Sequence, residues 1–208
     1  MSTDSKERGI LIVGTSTLAR WTAQLLEEAG ELVYGFAPTR AYSISEQDNF
    51  SIFPPITEGR IWKLIRSQQV DYVVALTEPT ARERMALALF EKTKRIGRSF
   101  LHRSVILPPT AQVGGGSILF PYVVVGISAR VGGYVVIESH TYVGAGTEIE
   151  DFVNIGSGCQ IGENCRIGSY TWIGRGAVLV EGIQVGRGAH IQPGAVVREH
   201  VRAGETYE

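Results

Sequence analysis

From Leu107 to Val197 an aliphatic residue returns at every sixth position without a slip, a period that neither an α-helix nor an ordinary strand produces. Val125, Val131, Ile137, Val143, Ile149, Ile155, Ile161, Ile167 and Ile173 are its middle members. Two residues before each stands a mostly small residue, among them Ser117, Ala129, Thr141, Thr147, Cys159, Cys165, Thr171, Ala177 and Ala189. Residues i−2 and i share one face of a strand, so each hexad is a short strand with one large and one small inward side chain. Glycines such as Gly114, Gly126, Gly132, Gly144, Gly156, Gly162, Gly168, Gly174 and Gly186 directly follow the aliphatic position, where a corner is expected. Three such edges close one coil of a parallel β-helix, and each coil buries its core only by stacking on the next. The unbroken phase predicts about five coils with no looped-out insertion.

The repeat occupies nearly half of the 208 residues, which leaves enough chain upstream for one small domain. Two domains are expected, residues 1–103 and 104–208. A net charge of −1 with scattered basic residues gives no case for nucleic acid or an anionic membrane surface, and favours small-molecule partners. The opening Met-Ser-Thr-Asp-Ser-Lys-Glu-Arg carries no apolar signal core, and no apolar run reaches the length of a membrane span. A cytoplasmic protein is expected. Cys159 and Cys165 both fall on inward small positions, so they read as buried structural thiols and not as a disulfide or metal pair.

Upstream of the repeat, after a polar leader up to Arg8, strands and helices alternate. Gly9 to Val13 reads as a buried strand, and Leu18, Trp21, Thr22, Leu25 and Leu26 recur at helical spacing with Gly30 as the stop. Glu31 to Phe36 is a second strand, followed by a polar excursion from Pro38 to Asn49. Arg60 to Gln69 reads as a helix and Val70 to Leu76 as a strand. Pro79 opens a further helix through Arg95, with Met85, Leu87, Leu89 and Phe90 apolar, and Ser99 to Leu101 is a last short strand before the coils. This pattern implies a small, parallel, Rossmann-like α/β sheet. The turn Gly14-Thr15-Ser16 between first strand and first helix presents backbone N–H groups that either receive an anion such as phosphate or merely join the two elements. Of a G-x-G-x-x-G fingerprint only Gly14 remains, and Ala37-Pro38 replaces the acid expected at the end of the second strand, so no dinucleotide site is expected.

A Rossmann-like domain opening on a strand and a Gly-x-Ser turn, followed directly by a hexapeptide β-helix, resembles the sugar O- and N-acyltransferases related to sialic acid O-acetyltransferase and bacillosamine N-acetyltransferase. The resemblance covers nearly the whole chain. It implies a left-handed, triangular coil, a nucleotide-linked sugar held by the first domain, and acetyl-coenzyme A held between the β-helices of a homotrimer. Gly14, Thr15 and Ser16 match the start of the family's glycine turn, and Arg82, after Thr77-Glu78-Pro79, matches its arginine; these are the implied substrate-binding residues. The family's catalytic Glu-His-acid triplet corresponds to Glu138-Ser139-His140, with the histidine displaced by one. A second family histidine maps onto Glu148. Arg202 to Glu208 ends where the family's Gly-x-Pro-Ala tail would begin, so either the contacts to coenzyme A from such a tail are missing or the sequence stops short of it.

Acyl transfer from a thioester needs the acceptor's proton removed during attack, which an imidazole performs, while backbone N–H groups hold the oxyanion. His102 lies at the domain junction, His200 lies past the last clean hexad and His190 precedes an inward isoleucine, which leaves His140 as the candidate base, with Glu138 or Glu148 as its orienting acid. The expected function is therefore an acyl-CoA-dependent acetyltransferase acting on an amine or hydroxyl of a nucleotide-linked sugar or similar acceptor. The alternative is a noncatalytic trimeric binding or scaffold relative. A zinc hydratase sharing the β-helix would need a histidine pair spaced H-x₄-H, and none exists. Outward aromatics at Phe120, Tyr122, Tyr134, Tyr142, Tyr170 and Trp172 predict a homo-oligomer.

Overall fold

The structure, a computed structural model, describes residues 8–38, 58–67 and 69–208. The leader ahead of Arg8 and the excursion beyond Pro38 lie outside the described residues. The chain divides into two units, Met1–Arg98 and Ser99–Glu208.

In the first unit three strands, β1 (Gly9–Val13), β2 (Val33–Ala37) and β3 (Val70–Val74), form a parallel sheet in the order β2-β1-β3. β1 is central and buried at every position, which is why it reads as a continuous apolar run without alternation. Helix α1 (Thr17–Glu28) follows β1 and ends in a Schellman motif, with the Gly30 N–H on the Glu27 carbonyl and the Glu31 N–H on that of Leu26, both at 2.9 Å. Gly30 takes φ 81° there, as its role of stop residue requires. Trp21, grouped by spacing with Leu25 and Leu26, is 54% exposed, and the small Ala19 and Ala23 take the buried side. Helix α2 (Glu58–Arg66) precedes β3. Helix α3 (Pro79–Thr93) starts on Glu78, whose carboxylate accepts the Ala81 N–H at 2.7 Å, with Pro79 in the first turn. Its buried stripe is Pro79, Arg82, Ala86 and Leu89, while Leu87 and Phe90 face outward.

The second unit is a left-handed parallel β-helix of three faces. Its first face carries the strands Phe100–Leu101, Ile118–Leu119, Val136–Ile137, Asn154–Ile155, Trp172–Ile173, His190–Ile191 and Thr206–Tyr207. The second runs from the bridge at Ile106 through Val124, Tyr142, Gln160 and Val178 to Val196. The third runs through Gln112, Arg130, Glu148, Arg166 and Gln184, with a final bridge at Val201. Each residue lies beside those eighteen positions away, as Asn154 does between Val136 and Trp172. No insertion interrupts Leu107 to Val197, and both ends extend beyond it. Phe100–Leu101 pairs with Ile118–Leu119 and so belongs to the first coil, not to the sheet upstream. Seven strands on one face make about six coils where five were expected. After Val197 the phase slips by two residues, so that Val201 takes the place beside Val185 and Tyr207 the place beside Ile191.

The glycines after the aliphatic positions serve a different purpose from the one read into them. None of them has a left-handed φ. A Cβ on Gly144 would lie 2.5 Å from backbone of Gly162, and one on Gly174 would lie 2.4 Å from that of Pro193, so stacking excludes a side chain. The corner falls two residues later, at a type II turn whose third residue is left-handed. There glycines such as Gly158 and Gly176 alternate with Tyr122, Ser128, Tyr134, His140, Phe152, Asn164 and Tyr170, all at φ between 54° and 62°.

The inward pairs form one continuous apolar core from Leu119 to Val201. Its small polar members bond across coils. Ser117, Thr141, Thr147 and Thr171 each donate to a carbonyl of the following coil, on Gly132, Gly156, Gly162 and Gly186, at 2.8 to 3.1 Å. The Cys159 and Cys165 thiols do the same toward Gly174 and Val180.

Candidate active site

Glu138 ends the first-face strand Val136–Ile137, His140 stands at the left-handed position of the next turn, and Tyr142 opens the second face. Between them Thr141 points inward, its hydroxyl donating to Gly156 and accepting the Cys159 N–H at 3.3 Å, so the backbone beside His140 is pinned to the next coil. The His140 N–H donates to the Pro121 carbonyl of the previous coil at 3.1 Å. Its exposed ring stacks on Tyr122, with centroids 4.9 Å apart and planes 18° from parallel. On the opposite side the same corner carries Gly158, Gly176 and Gly194, and nothing lies within 4 Å of where a Cβ on any of them would stand. One face of the imidazole is thus covered by a phenol, and the other borders a strip of bare backbone.

The candidate acids are engaged elsewhere. The Glu138 carboxylate accepts the Ser157 N–H at 3.1 Å and pairs with Arg175 at 3.3 Å, along the corner. Glu148 projects from the third face, pairs with Arg130 at 3.0 Å and lies 3.8 Å from Arg166. Within one chain that face is opposite the corner of His140, which joins the first face to the second. Among the described residues of one chain, neither acid bonds a ring nitrogen of His140. The other histidines have partners of their own: His102 with Ser104 at 2.8 Å, His200 with the Gln184 N–H at 3.1 Å, and His190 stacked on Trp172 at 6.1 Å. Among the described residues, no three His, Cys, Asp or Glu side chains gather as a metal site.

Of the outward aromatics, Phe120 is buried, and Tyr134 and Tyr170 sandwich Phe152 at 5.4 and 5.6 Å, with Arg187 over the end of the column at 4.6 Å. That column runs along the corner between third and first faces. Beside it a cavity of about 430 Å³ is lined by Gln112, Arg130, Glu150, Asp151 and Ser169. The exposed apolar side chains of the β-helix, Ile106, Leu107, Tyr122, Ile127, Tyr142 and Val180, lie instead on the second face and its two corners.

The residues assigned to substrate in the first unit do converge. With β1 flanked by β2 on one side and β3 on the other, the carboxyl ends of β1 and β3 bound the crevice where the strand order reverses. Gly14 takes φ 128°, and a Cβ there would lie 2.6 Å from the Ala75 carbonyl oxygen, so only glycine allows the two loops to meet. The Ser16 hydroxyl donates to that carbonyl at 3.3 Å and accepts from Thr77 at 3.4 Å, and makes no capping bond to α1. Thr15 is buried. Arg82 is wholly buried and donates to the carbonyls of Leu76 at 2.7 Å and Thr77 at 3.3 Å. Burial pushes its guanidinium down to about 10 against the pull of Glu78. Arg82 therefore braces the β3–α3 loop through its carbonyls.

From the sequence Tyr122 reads only as an outward aromatic of the oligomer surface, and Arg175 and the glycine strip do not read as part of the site. The signal for them is the spacing of eighteen, which places Tyr122, His140, Gly158, Gly176 and Gly194 on a single corner.

Residues 140–175 and 164–199 match the bacterial transferase hexapeptide family (six repeats). No curated protein matches the chain by sequence. Among solved structures, the chain is similar to perosamine N-acetyltransferase from Caulobacter crescentus in complex with CoA and GDP-perosamine, at 16% identity and a TM-score of 0.84 over 95% of this chain and 92% of that one. It is also similar to the acetyltransferase domain of PglB from Neisseria gonorrhoeae in complex with acetyl coenzyme A, at 21% identity and a TM-score of 0.83 over 96% and 95%. WeeI from Acinetobacter baumannii aligns at 18% identity and a TM-score of 0.69 over 95% of each chain. Both units therefore follow a fold seen end to end in these proteins.

Proposed function

We propose that the chain is an acyl-CoA-dependent acetyltransferase that acylates an amine or hydroxyl of a nucleotide-linked sugar, with His140 as general base. The observation that carries this reading is the corner at His140: an exposed imidazole, fixed on one ring face, beside a strip of side-chain-free backbone. The strip at Gly158, Gly176 and Gly194 is open, with nothing within 4 Å of where a Cβ would stand, and leaves room for the extended arm of coenzyme A. Coenzyme A supplies the activated thioester. His140 takes the acceptor's proton as it attacks and returns it to the departing thiol. In the first unit, the loop at Gly14, Thr15 and Ser16, with Arg82 bracing the neighbouring β3–α3 loop, suits the diphosphate of a nucleotide sugar at the open N-terminus of α1. The end-to-end likeness of fold to an N-acetyltransferase seen with CoA and GDP-perosamine, and to an acetyltransferase domain seen with acetyl coenzyme A, supports both assignments.

The chain works as a homotrimer in this reading. The second face leaves Ile106 61%, Tyr122 59% and Ile127 63% exposed, and further copies are the natural cover for it. Such packing brings an acid from a neighbouring copy, Glu148 among the candidates, toward His140. Among the described residues no helix is long and apolar enough to cross a membrane, and we place the protein in the cytoplasm with no nucleic-acid partner.

The scaffold reading draws on one observation, the engagement of Glu138 with Ser157 and Arg175, which leaves His140 without an acid in its own chain. Turnover separates the two. Acetyl-coenzyme A is incubated with GDP-perosamine and other nucleotide-linked amino sugars, and free thiol release is followed for the wild type and His140→Asn. The expected loss in the variant is about 10²- to 10⁴-fold at unchanged coenzyme A affinity by calorimetry. Calorimetric binding of coenzyme A with no turnover on any acceptor would favour the scaffold.

A further inference from the structure

We infer that Tyr122 is the positioning residue for His140, fixing the plane of the imidazole by stacking where no carboxylate of the same chain holds a ring nitrogen; the inference rests on His140 being the base. The two residues occupy the same left-handed turn position on successive coils, at φ 62° and 60°, so their Cα–Cβ bonds run parallel. Both backbones are tied down, the His140 N–H to the Pro121 carbonyl at 3.1 Å and the Tyr122 N–H to the Ser104 hydroxyl at 2.9 Å. An exposed histidine on a turn would otherwise sample several staggered rotamers. Stacking at 4.9 Å selects the one that lays the ring along the corner.

The contrast with the column at Tyr134, Phe152 and Tyr170 separates positioning from simple packing. Phe152 is covered on both ring faces. His140 is covered on one only, because the next coil offers Gly158. Tyr122 therefore holds the imidazole while leaving one ring face toward the strip and the ring edge, with its two nitrogens, open beside it. Glu138, turned toward Ser157 and Arg175, does not compete for this role within the chain.

The test measures initial rates with acetyl-coenzyme A and GDP-perosamine for Tyr122→Ala, Tyr122→Phe and Tyr122→Asn, each alone and combined with His140→Asn. Asparagine is a safe second non-aromatic variant, since Asn164 already occupies the equivalent turn position. Loss of one aromatic stack should lower kcat by about three- to tenfold in the alanine and asparagine variants, with KM for acetyl-coenzyme A within about twofold. Phenylalanine should restore it. On the His140→Asn background the Tyr122 substitutions should change nothing further. In parallel, the His140 ring protons, identified in NMR spectra by their loss in His140→Asn, should sit upfield in the wild type and in Tyr122→Phe, and move downfield in the other two. An equal loss of rate on the His140→Asn background, or no rescue by phenylalanine, would overturn the inference. Should His140→Asn leave turnover intact, or no acceptor turn over, the base reading fails separately and the NMR shifts alone decide whether Tyr122 orients the ring.

Discussion

The hydroxyl of Thr141 donates to the Gly156 carbonyl at 2.8 Å and accepts the Cys159 N–H at 3.3 Å, so one buried side chain joins two successive coils directly behind the His140 corner. Thr141→Val keeps the volume and removes both bonds, leaving a donor and an acceptor without partners in the core. The expected cost is about 1–3 kcal/mol. Thr141→Ser keeps the hydroxyl and should lose less. Urea unfolding at one fixed protein concentration measures both, and a valine variant as stable as the wild type would contradict the bonded arrangement.

Cys159 and Cys165 are fully buried, and each thiol donates to a carbonyl of the next coil. Burial pushes the Cys159 thiol up to about 11 and raises that of Cys165 as well. At neutral pH both should react negligibly with a thiol-specific disulfide reagent in the folded protein, and both should titrate once it is denatured. Rapid modification of the native protein would show that the small-residue series does not point inward.

A side chain can be put back into the bare strip at the cost of a left-handed non-glycine backbone alone, because nothing stands within 4 Å of a Cβ on Gly176 and the same turn position already holds tyrosine at Tyr122, Tyr134 and Tyr170. Gly176→Tyr should therefore still fold and fill the strip two coils along the corner from His140, next to Gly158. Coenzyme A affinity should fall by at least about tenfold, the equivalent of roughly 1.4 kcal/mol. Calorimetry on the variant, with its melting temperature as the control, checks this. Unchanged affinity would remove the strip from the proposed cofactor path.

Glu150 accepts the Ser169 hydroxyl at 2.7 Å and the Ser169 N–H at 2.8 Å, and the hydroxyl bond above all holds its carboxyl below the usual range. The folded state thus favours the ionised form. The associated stability is present above pH 4.5, the unfolded value, and is lost as pH falls through the lowered folded value. Thermal unfolding between about pH 3 and 6 should show this loss, and Ser169→Ala should flatten it. The effect is small because the pair is exposed and screened by solvent. A variant with an undiminished slope would assign the acid sensitivity to other carboxylates, Glu78 among them, since Glu78 is also lowered.

Most of the β-helix could be read in advance because each coil repeats the same inward pair, so an error at one hexad would have been exposed by its neighbours. The ends were harder. Leu101 lies six residues ahead of Leu107 and belongs to the series, yet it also closes a strand-like run from Ser99. The slip after Val197 hides Val201 and Tyr207 from a count in sixes. At the site, the chemistry of His140 was legible from residue type. Its neighbours were not, because Tyr122 and Gly158 are each eighteen residues distant and become adjacent only when the period is wound three to a turn. Arg82 marks another limit: spacing puts an arginine beside the loop, but whether it meets a ligand or, as here, the loop's own carbonyls depends on burial.

The spacing of eighteen between stacked residues makes the β-helix behave as a dial as much as a rod. Removing one whole hexad would keep every inward side chain inward, and the core would hardly register the change. Yet everything downstream would advance by a third of a turn. A hexad lost between Tyr122 and His140 would put the histidine on another corner, away from the tyrosine, while the open glycines downstream travelled with it. Only changes by complete coils leave such an alignment intact. Folding tolerates steps of six, whereas the corner at His140 tolerates steps of eighteen, so length variation in a chain of this kind can erase an active site without disturbing the core.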